Sequence, residues 1–383
     1  MLRFLTAGES HGPGLVTVVE GLPAGLTVSL DALGAELARR RAGHGRGRRM
    51  RLEKDELEFL GGVRFGATLG SPVAVVIRNT EWPKWETEMS AEPGESRRPL
   101  TTPRPGHADL AGMQKYDTHD ARNILERSSA RETAARTVVG YLAKTLLGTL
   151  GITVFSHVVE IGSVRAPDGE LPEPDDLAAI DASPVRAFDA TAAKAMADEI
   201  DAAKADRDTL GGVVEVLAYG LPPGIGSHVH WDRKLDGRLA QALMSIQAIK
   251  GVEVGDGFHV ARTRGSAAHD EIYFADGEFT RQTNRAGGTE GGMTSGGPLR
   301  IRAAMKPIST VMRPLDTVDV GTKQPEKAFR ERSDVCAVPA AGVVAEQMVA
   351  IVLAQELQRQ FGGDTVGDMQ TALAAYRARL SEF

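Results

Sequence analysis

The sequence predicts an α+β layered fold, and three observations point to it. Its valine-rich segments are separated by turns or by single long helices, without the steady βαβ rhythm of a parallel doubly wound sheet. Apolar stripes at helical spacing recur between those segments. The turn "GLPAGL" at 21–26 returns as "GLPPGI" at 220–225, about half the chain later, which suggests an internal duplication into two related α/β halves. The plainer alternative is that Gly-Leu-Pro turns recur by chance.

Taken in order, "GLVTVVEGLPAGLTVSLDALGAELARRR" reads as strand, turn, helix. Val16, Val18 and Val19 are strand formers, Gly21, Pro23 and Gly25 make the turn, and Ser29 is the N-cap of a helix striped by Leu30, Leu33 and Leu37. "SARETAARTVVGYLAKTLLGTL" carries a capping box, Ser129 with Glu132, then Val138, Leu142 and Leu146 at helical spacing. Residues 166–209, rich in Asp, Glu, Ala and Pro, read as a solvated helical insertion. "GGVVEVLAYGLPPGIGSHVHWDRKLDGRLAQALMSI" repeats the first plan, with Leu235, Leu239 and Leu243 as the stripe. "AAGVVAEQMVAIVLAQELQRQFGG" is apolar around most of its circumference and stops at Gly362–Gly363, so it is expected at the centre. The candidate pseudo-repeats span about 1–150 and 211–361.

Composition narrows the function classes. The 383 residues are 42% hydrophobic and 25% charged, with a formal net charge of −6, as in a soluble globular protein. A pI near 5.9 argues against a dedicated nucleic-acid binder. Cys336 is the only cysteine, so no intrachain disulfide can form, which fits a reducing cytoplasm. The apolar run in "MLRFLTAGESHG" is too short for a signal peptide, and no stretch of about 18 apolar residues is expected to span a membrane.

Four stretches could carry chemistry. "GESHG", residues 8–12, sets His11 between glycine-bearing turns, where an imidazole can approach a ligand and exchange a proton; a plain turn histidine is the alternative. "RRRAGHGRGRRMR", residues 39–51, holds seven arginines. Their mutual repulsion exceeds what a helix dipole offsets, and planar forks converging on phosphate or carboxylate would offset the rest; a solvated basic turn is the alternative. "RPGHADLAGMQKY", 104–116, leads to "ILERSSARET", where Ser128, Ser129 and the following amides are expected to open a helix suited to an anion. "GGTEGGMTSGGP", 287–298, precedes "KPIST" at 306–310 and "RSD" at 332–334; such glycine loops let backbone approach a flat or charged ligand. There is no P-loop, no G-x-G-x-x-G, no HExxH and no nucleophile elbow. His228-x-His230 lacks a third ligand, so no metal site is expected.

"GESHG", "RRRAGHGRGRRM", "RPGHADLAGMQKY", "RSSARETAAR", "QAIKGVEVGDGF", "GGTEGGMTSGGP", "KPIST" and "RSD" occur in the order found in chorismate synthases. The resemblance covers essentially the whole chain. It implies one domain over 1–383, with helices sandwiched between two antiparallel sheets, internal pseudo-symmetry and assembly as a homotetramer. It implies a phosphate lyase that converts 5-enolpyruvylshikimate 3-phosphate to chorismate by 1,4-anti elimination, requiring reduced FMN with no net redox change. His107 resembles the acid that protonates departing phosphate, His11 the histidine at the flavin's pyrimidine edge, and Asp334 the aspartate that takes the substrate-derived proton from flavin N5. Ser10 and Ser128 resemble supporting hydroxyls. The trianionic substrate would meet Arg40, Arg46, Arg49, Arg104, Arg131, Arg332 and Ser333. Flavin contacts would come from Arg127, Ser128, Ser129, Gln247, Ala248, Gly291, Lys306, Pro307, Ile308, Ser309, Thr310 and Arg332. No nicotinamide fingerprint is present, so a separate flavin reductase is expected, with NADPH only an indirect reductant. Two readings from other classes stay open on the residues alone: an RNA-binding module using the arginine loop, and a flavin oxidoreductase with net flavin oxidation.

Overall fold

Residues 1–47, 55–275, 277–331 and 333–383 are described in the computed structural model. Strands β1 (Arg3–Ala7), β2 (Gly14–Glu20), β3 (Glu56–Gly61) and β4 (Val73–Arg78) form an antiparallel sheet in the order β1-β2-β4-β3. The period-2 alternation of β2 turns Leu15, Thr17 and Val19 inward, opposite Ile77, Val75 and Val73 of β4, and all six are buried. Helix α1 (Leu30–Arg41) starts where expected: the Ser29 hydroxyl accepts the Ala32 N–H at 3.1 Å. Leu33 and Leu37 are fully buried, but Leu30 is 39% exposed, because it stands on the first residue of the helix, at the solvent end of the stripe.

Two short helices, α2 (Asp109–Tyr116) and α3 (Arg122–Ser128), precede α4 (Thr133–Thr149). Here the sequence reading needs correction twice. Ser128 closes α3 rather than opening a helix, its hydroxyl donating to the Ile124 carbonyl at 3.0 Å. Ser129 caps a 3₁₀ turn over Ala130–Glu132, and no capping box forms. Glu132 is taken up elsewhere, by Thr6, Arg136 and Gln247. Val138, Leu142 and Leu146 are buried as the stripe requires.

The second antiparallel sheet uses β5 (Thr153–Ile161), β6 (Val164–Arg165), β7 (Gly212–Tyr219), β8 (Ile249–Val254) and β9 (Leu299–Met305), in the order β8-β9-β7-β5-β6. The segment between β6 and β7 holds helices α5 (Leu177–Ala182) and α6 (Ala190–Ala205). It is less solvated than its composition suggests. Ile180, Met196 and Ile200 are fully buried, and Ile180 packs with Phe155 and Leu217 of the sheet; the many alanines disguise the amphipathic stripe.

Helix α7 (Leu235–Met244) buries Leu235, Leu239 and Leu243, and α8 (Val338–Phe361) is followed by α9 (Val366–Ser381). α8 packs on α4, α1 and α7 and on strands β5 and β7, whereas α4 packs on β1 and β2. Contrary to the sequence expectation, α8 is long and apolar enough to cross a membrane, with a window of mean hydropathy 1.5; 94% of that window is buried inside the fold.

A charged cluster lies in this core. Glu346 of α8, fully buried, accepts from Arg39 at 2.5 Å, Lys144 at 2.8 Å and Ser156 at 2.9 Å. Arg39 also bonds Glu36 and Asp181. Burial alone would raise the Glu346 pKa, but Lys144, Arg39 and Arg186 hold it far below the usual carboxylate range. α1, α4, β5 and α8 are thus tied through one carboxylate.

Candidate functional site

The "GESHG" loop joins β1 to β2 and lies against α3. The Ser10 N–H donates to the Glu126 carbonyl at 3.0 Å. Glu126 then takes His11 twice, the backbone N–H at 2.8 Å and Nδ1 at 2.9 Å. Arg122, one helical turn before Glu126, donates to the same carboxylate at 2.7 Å. Trp85 covers the imidazole, with ring centroids 3.9 Å apart, and the Arg122 guanidinium lies 5.0 Å over Trp85. Asn79 donates to the Gly12 carbonyl at 2.9 Å and holds the loop from behind. Ser10 and His11 are buried. Burial would raise the Glu126 pKa, but the His11 hydrogen bond and charge, with Arg122, lower it.

His107 is organised in a similar way. Its Nδ1 meets Asp109 Oδ1, and Asp109 Oδ2 accepts Arg104 Nε at 2.9 Å and the Arg104 N–H at 3.1 Å. Asp109 is fully buried. Burial opposes its charge, but His107 and Arg104 outweigh burial and hold its pKa at about 2. Arg104 stacks 4.6 Å over Phe329 and donates to Thr310 Oγ1 at 3.0 Å. Thr310 ends "KPIST", and two more residues of that motif, Lys306 and Ser309, donate to the Gly106 carbonyl. Gly106 holds φ +76°, a conformation that favours glycine. Burial, with Lys250 nearby, lowers the Lys306 pKa. Pro105, Gly106, Thr209, Lys306, Pro307 and Ser309 line an open cleft of about 500 Å³. The Ile308 carbonyl faces Thr209, which donates to it at 2.9 Å.

Two more segments join this patch. The Lys306 N–H donates to the Ala248 carbonyl at 3.0 Å, and Ala248 takes φ +68°, an unusual backbone for a residue with a β-carbon. Gln247 donates to Glu132 at 3.2 Å, while its Oε1 is buried with no hydrogen-bond partner among the described residues. Arg127 points to the β1 end, donating to Gly8 and Thr6 carbonyls at 3.1 and 2.8 Å. Ser129 accepts the Arg131 N–H at 3.3 Å. "GGTEGG" takes another direction: its hairpin bonds Gly224, Ile225 and Ser227 of the second Gly-Leu-Pro turn. Gly291 holds φ +60°, and a β-carbon there would meet nothing within 4 Å. The glycine there meets a backbone demand of the turn and has open space beside it.

Several arginines of the arginine-rich stretch have partners within the chain. Arg40, buried, donates to Thr133 at 2.9 Å and to the Ala130 carbonyl at 2.8 Å. Arg41 and Arg131 share Asp55 at 3.0 and 2.9 Å. Arg46 meets Asp334 at 2.5 Å, and Gly47 N–H donates to the same carboxylate at 2.7 Å. Ser333 donates to the Asp334 carbonyl at 3.3 Å. Among the described residues, carboxylates of the chain itself thus pair with Arg39, Arg41 and Arg46. Arg49 and Arg332 lie outside the described residues.

Sequence reasoning missed Glu126, Arg122, Trp85 and Asp55, and passed over Asp109 inside the motif that carries His107. The i, i+4 pair Arg122–Glu126 and the close spacing of Arg104, His107 and Asp109 left local signals; the other contacts join more distant segments. Among the described residues, no group of three or more His, Cys, Asp or Glu side chains is placed to hold a metal.

The profile of the family described as chorismate synthase matches residues 2–358. A chorismate synthase of Acidothermus cellulolyticus is 64% identical, over 98% of this chain and 98% of that protein. Another, from Leifsonia xyli subsp. xyli, is 61% identical over 100% of this chain and 97% of its own. A solved structure described as the crystal structure of chorismate synthase superposes with a TM-score of 0.81 at 42% identity, covering 100% of this chain and 99% of that one. Full-length identity of this order, with every one of the eight motifs in its expected order, makes the chain a member of the chorismate synthase family.

Proposed function

We propose that His107, His11 and Asp334 handle the protons in this family's reaction, loss of phosphate from 5-enolpyruvylshikimate 3-phosphate to give chorismate. The observation that carries the assignment is the meeting of "RPGHAD" with "KPIST": Lys306 lines a cleft with Pro105 and Gly106, and Arg104 and His107 of the same motif are joined through Asp109, with Arg104 also donating to Thr310. Such a cluster suits a departing phosphate, with cationic forks to bind it and an imidazole to protonate it.

In the elimination the carbon–oxygen bond to phosphate breaks and its electron pair leaves with the phosphate. His107 gives its ring proton to that oxygen while Arg104 binds the departing dianion. The substrate also loses a proton: its C–H electron pair becomes one new ring double bond, the existing double bond shifts towards the carbon that loses phosphate, and an Asp334 carboxylate oxygen is the final acceptor of the proton. Arg40, Arg46, Arg49, Arg131, Arg332 and Ser333 complete the anion site, and Ser10 and Ser128 support the two histidines. The reduced FMN on which the family depends supplies electron density transiently when bound. The residues present fit such a group. The buried Gln247 Oε1 without a partner among the described residues suits an imide N–H, and Lys306 supplies a cation. Arg127, Ser129, Ala248, Gly291, Pro307, Ile308, Ser309 and Thr310 would line it, with His11 at its polar edge.

The same proposal extends to assembly and history. Leu5 and Val18 stay exposed on the outward face of the first sheet, which supports a homotetramer. In each sheet one strand leads into a Gly-Leu-Pro turn and a helix, followed by two further strands and later a long helix; this supports helices sandwiched between duplicated halves. The chain would work in the cytoplasm, its flavin reduced by a separate enzyme. The test is anaerobic: protein, pre-reduced FMN and the enolpyruvyl substrate, with phosphate release and chorismate absorbance followed together. No turnover refutes the proposal. Net flavin oxidation per product would favour an oxidoreductase instead.

A further inference from the structure

We infer that Asp109 and Glu126 are positioning residues, each holding one of the two histidines at Nδ1 while sharing its carboxylate with a buried arginine. The inference rests on the roles given above to His107 and His11. Asp109 joins His107 to Arg104, and Glu126 joins His11 to Arg122. The pairs have no common local origin. Asp109 follows its histidine by two residues at the start of α2, whereas Glu126 reaches His11 from α3 across 115 residues of sequence. Yet both end as buried carboxylates contacting an imidazole Nδ1 and a guanidinium.

Neutralising either carboxylate requires only its arginine. The imidazole contact adds something an ion pair does not need: it fixes which ring nitrogen carries hydrogen and which edge faces a ligand. At His107 there is a further demand. Arg104 Nη2 lies 3.1 Å from one ring nitrogen and 3.3 Å from the other, and its charge opposes a protonated ring. Asp109 is the facing carboxylate, and Lys306 bonds the neighbouring Gly106 carbonyl. A histidine that must hand a proton to phosphate therefore needs Asp109 as a counter-charge. Among the described residues, the groups facing His11 include Glu126 and, behind it, Arg122, with Glu331 3.6 Å from Arg122 and Trp85 closing the ring face. Both carboxylates are held in the ionised form against burial.

The experiment compares Asp109→Asn, Asp109→Glu, Glu126→Gln and Glu126→Asp with His107→Ala and His11→Ala in the full-length enzyme, reading kcat and KM across pH with pre-reduced FMN. Thermal unfolding and flavin binding report the folded state. Both amide variants should lose at least about 10-fold in kcat, the lower end of what misplaced acid–base groups cost. KM should change less than kcat, and the alkaline limb of Asp109→Asn should move to lower pH. The Glu and Asp variants should recover part of kcat. Should His107→Ala and His11→Ala keep parental activity, the histidine roles fail and this inference falls with them. Loss in the alanine variants alongside parental kcat and pH profile in both amide variants overturns the positioning roles while leaving the histidines in place. If an amide variant does not fold, Asp109→Ser or Glu126→Met takes its place: an unchanged kcat and pH profile there also overturns the inference.

Discussion

Gly140→Ala tests how closely the two central helices are fitted. Gly140 lies within α4 where α8 crosses it. A β-carbon at this position would stand 2.8 Å from Gln347 Cα, and nearer still to that residue's Cβ and Oε1. Carbon contacts are comfortable at about 3.5–4.0 Å, so the helices must part by roughly 1 Å. Alanine itself gains about 1 kcal/mol of helix propensity over glycine. Overpacking costs about 1–3 kcal/mol or more, and the obstruction here includes backbone, which places it at or above the upper end. The separation also strains the Gln347–Glu36 hydrogen bond at 2.6 Å. A net loss of about 2 kcal/mol is expected. At roughly 2 cal/mol/K per residue, the unfolding entropy of this 383-residue chain turns that into a Tm lower by roughly 2–3 °C. Calorimetry at fixed protein concentration reads it directly. Gly148→Ala is the control, since its β-carbon would meet nothing within 4 Å; it should be neutral or slightly stabilising. A Gly140→Ala Tm equal to or above the parent would refute the tight crossing.

Glu215 is held at a pKa of about 2 from a usual 4.5: burial opposes its charge, but His157 and Arg302 outweigh it. Its contribution, on the order of 3 kcal/mol, is present above pH 4.5 and lost as pH falls through 2, so Glu215→Gln should flatten stability across that window; an unchanged acid-unfolding slope would contradict the pairing. Leu33→Ala should cost about 2–5 kcal/mol and Leu30→Ala less than about 0.5 kcal/mol in urea unfolding, and equal costs would reverse their placement. Gln247→Leu should weaken anaerobic binding of reduced FMN by about 10-fold, roughly 1.4 kcal/mol, without lowering Tm; full affinity measured by flavin fluorescence would remove Gln247 from the cofactor site.

Periodicity made the two strand–turn–helix units and the central position of α8 legible, because one-sided burial leaves a repeating mark on a sequence. The Ser29 cap was readable for the same local reason. Positions 129–132 were not: Ser129 and Glu132 have the spacing of a capping box, yet Glu132 is claimed by Thr6 and Gln247 from other parts of the chain. The histidines stood out through their motifs, but the partner of His11 lies 115 residues away, a distance no local pattern spans. The arginine stretch hid its internal partners in a related way. Counting its charges says nothing about Asp55, Asp334 or Glu346, which reach it from elsewhere in the sequence.

The position of α8 also dictates the order of events at the ribosome. Every strand of both sheets precedes Val338 in the chain, yet α8 supplies the surface on which β5 and β7 pack and the partner against which α4 rests. A nascent chain elongating at roughly 5–20 residues per second therefore spends tens of seconds with finished strands and no centre to close upon. During that interval Val154, Val158, Val214 and Val216 have no helix to cover them. A chain ending before Val338 should therefore aggregate rather than yield a smaller working enzyme, which its partition between supernatant and pellet after expression checks.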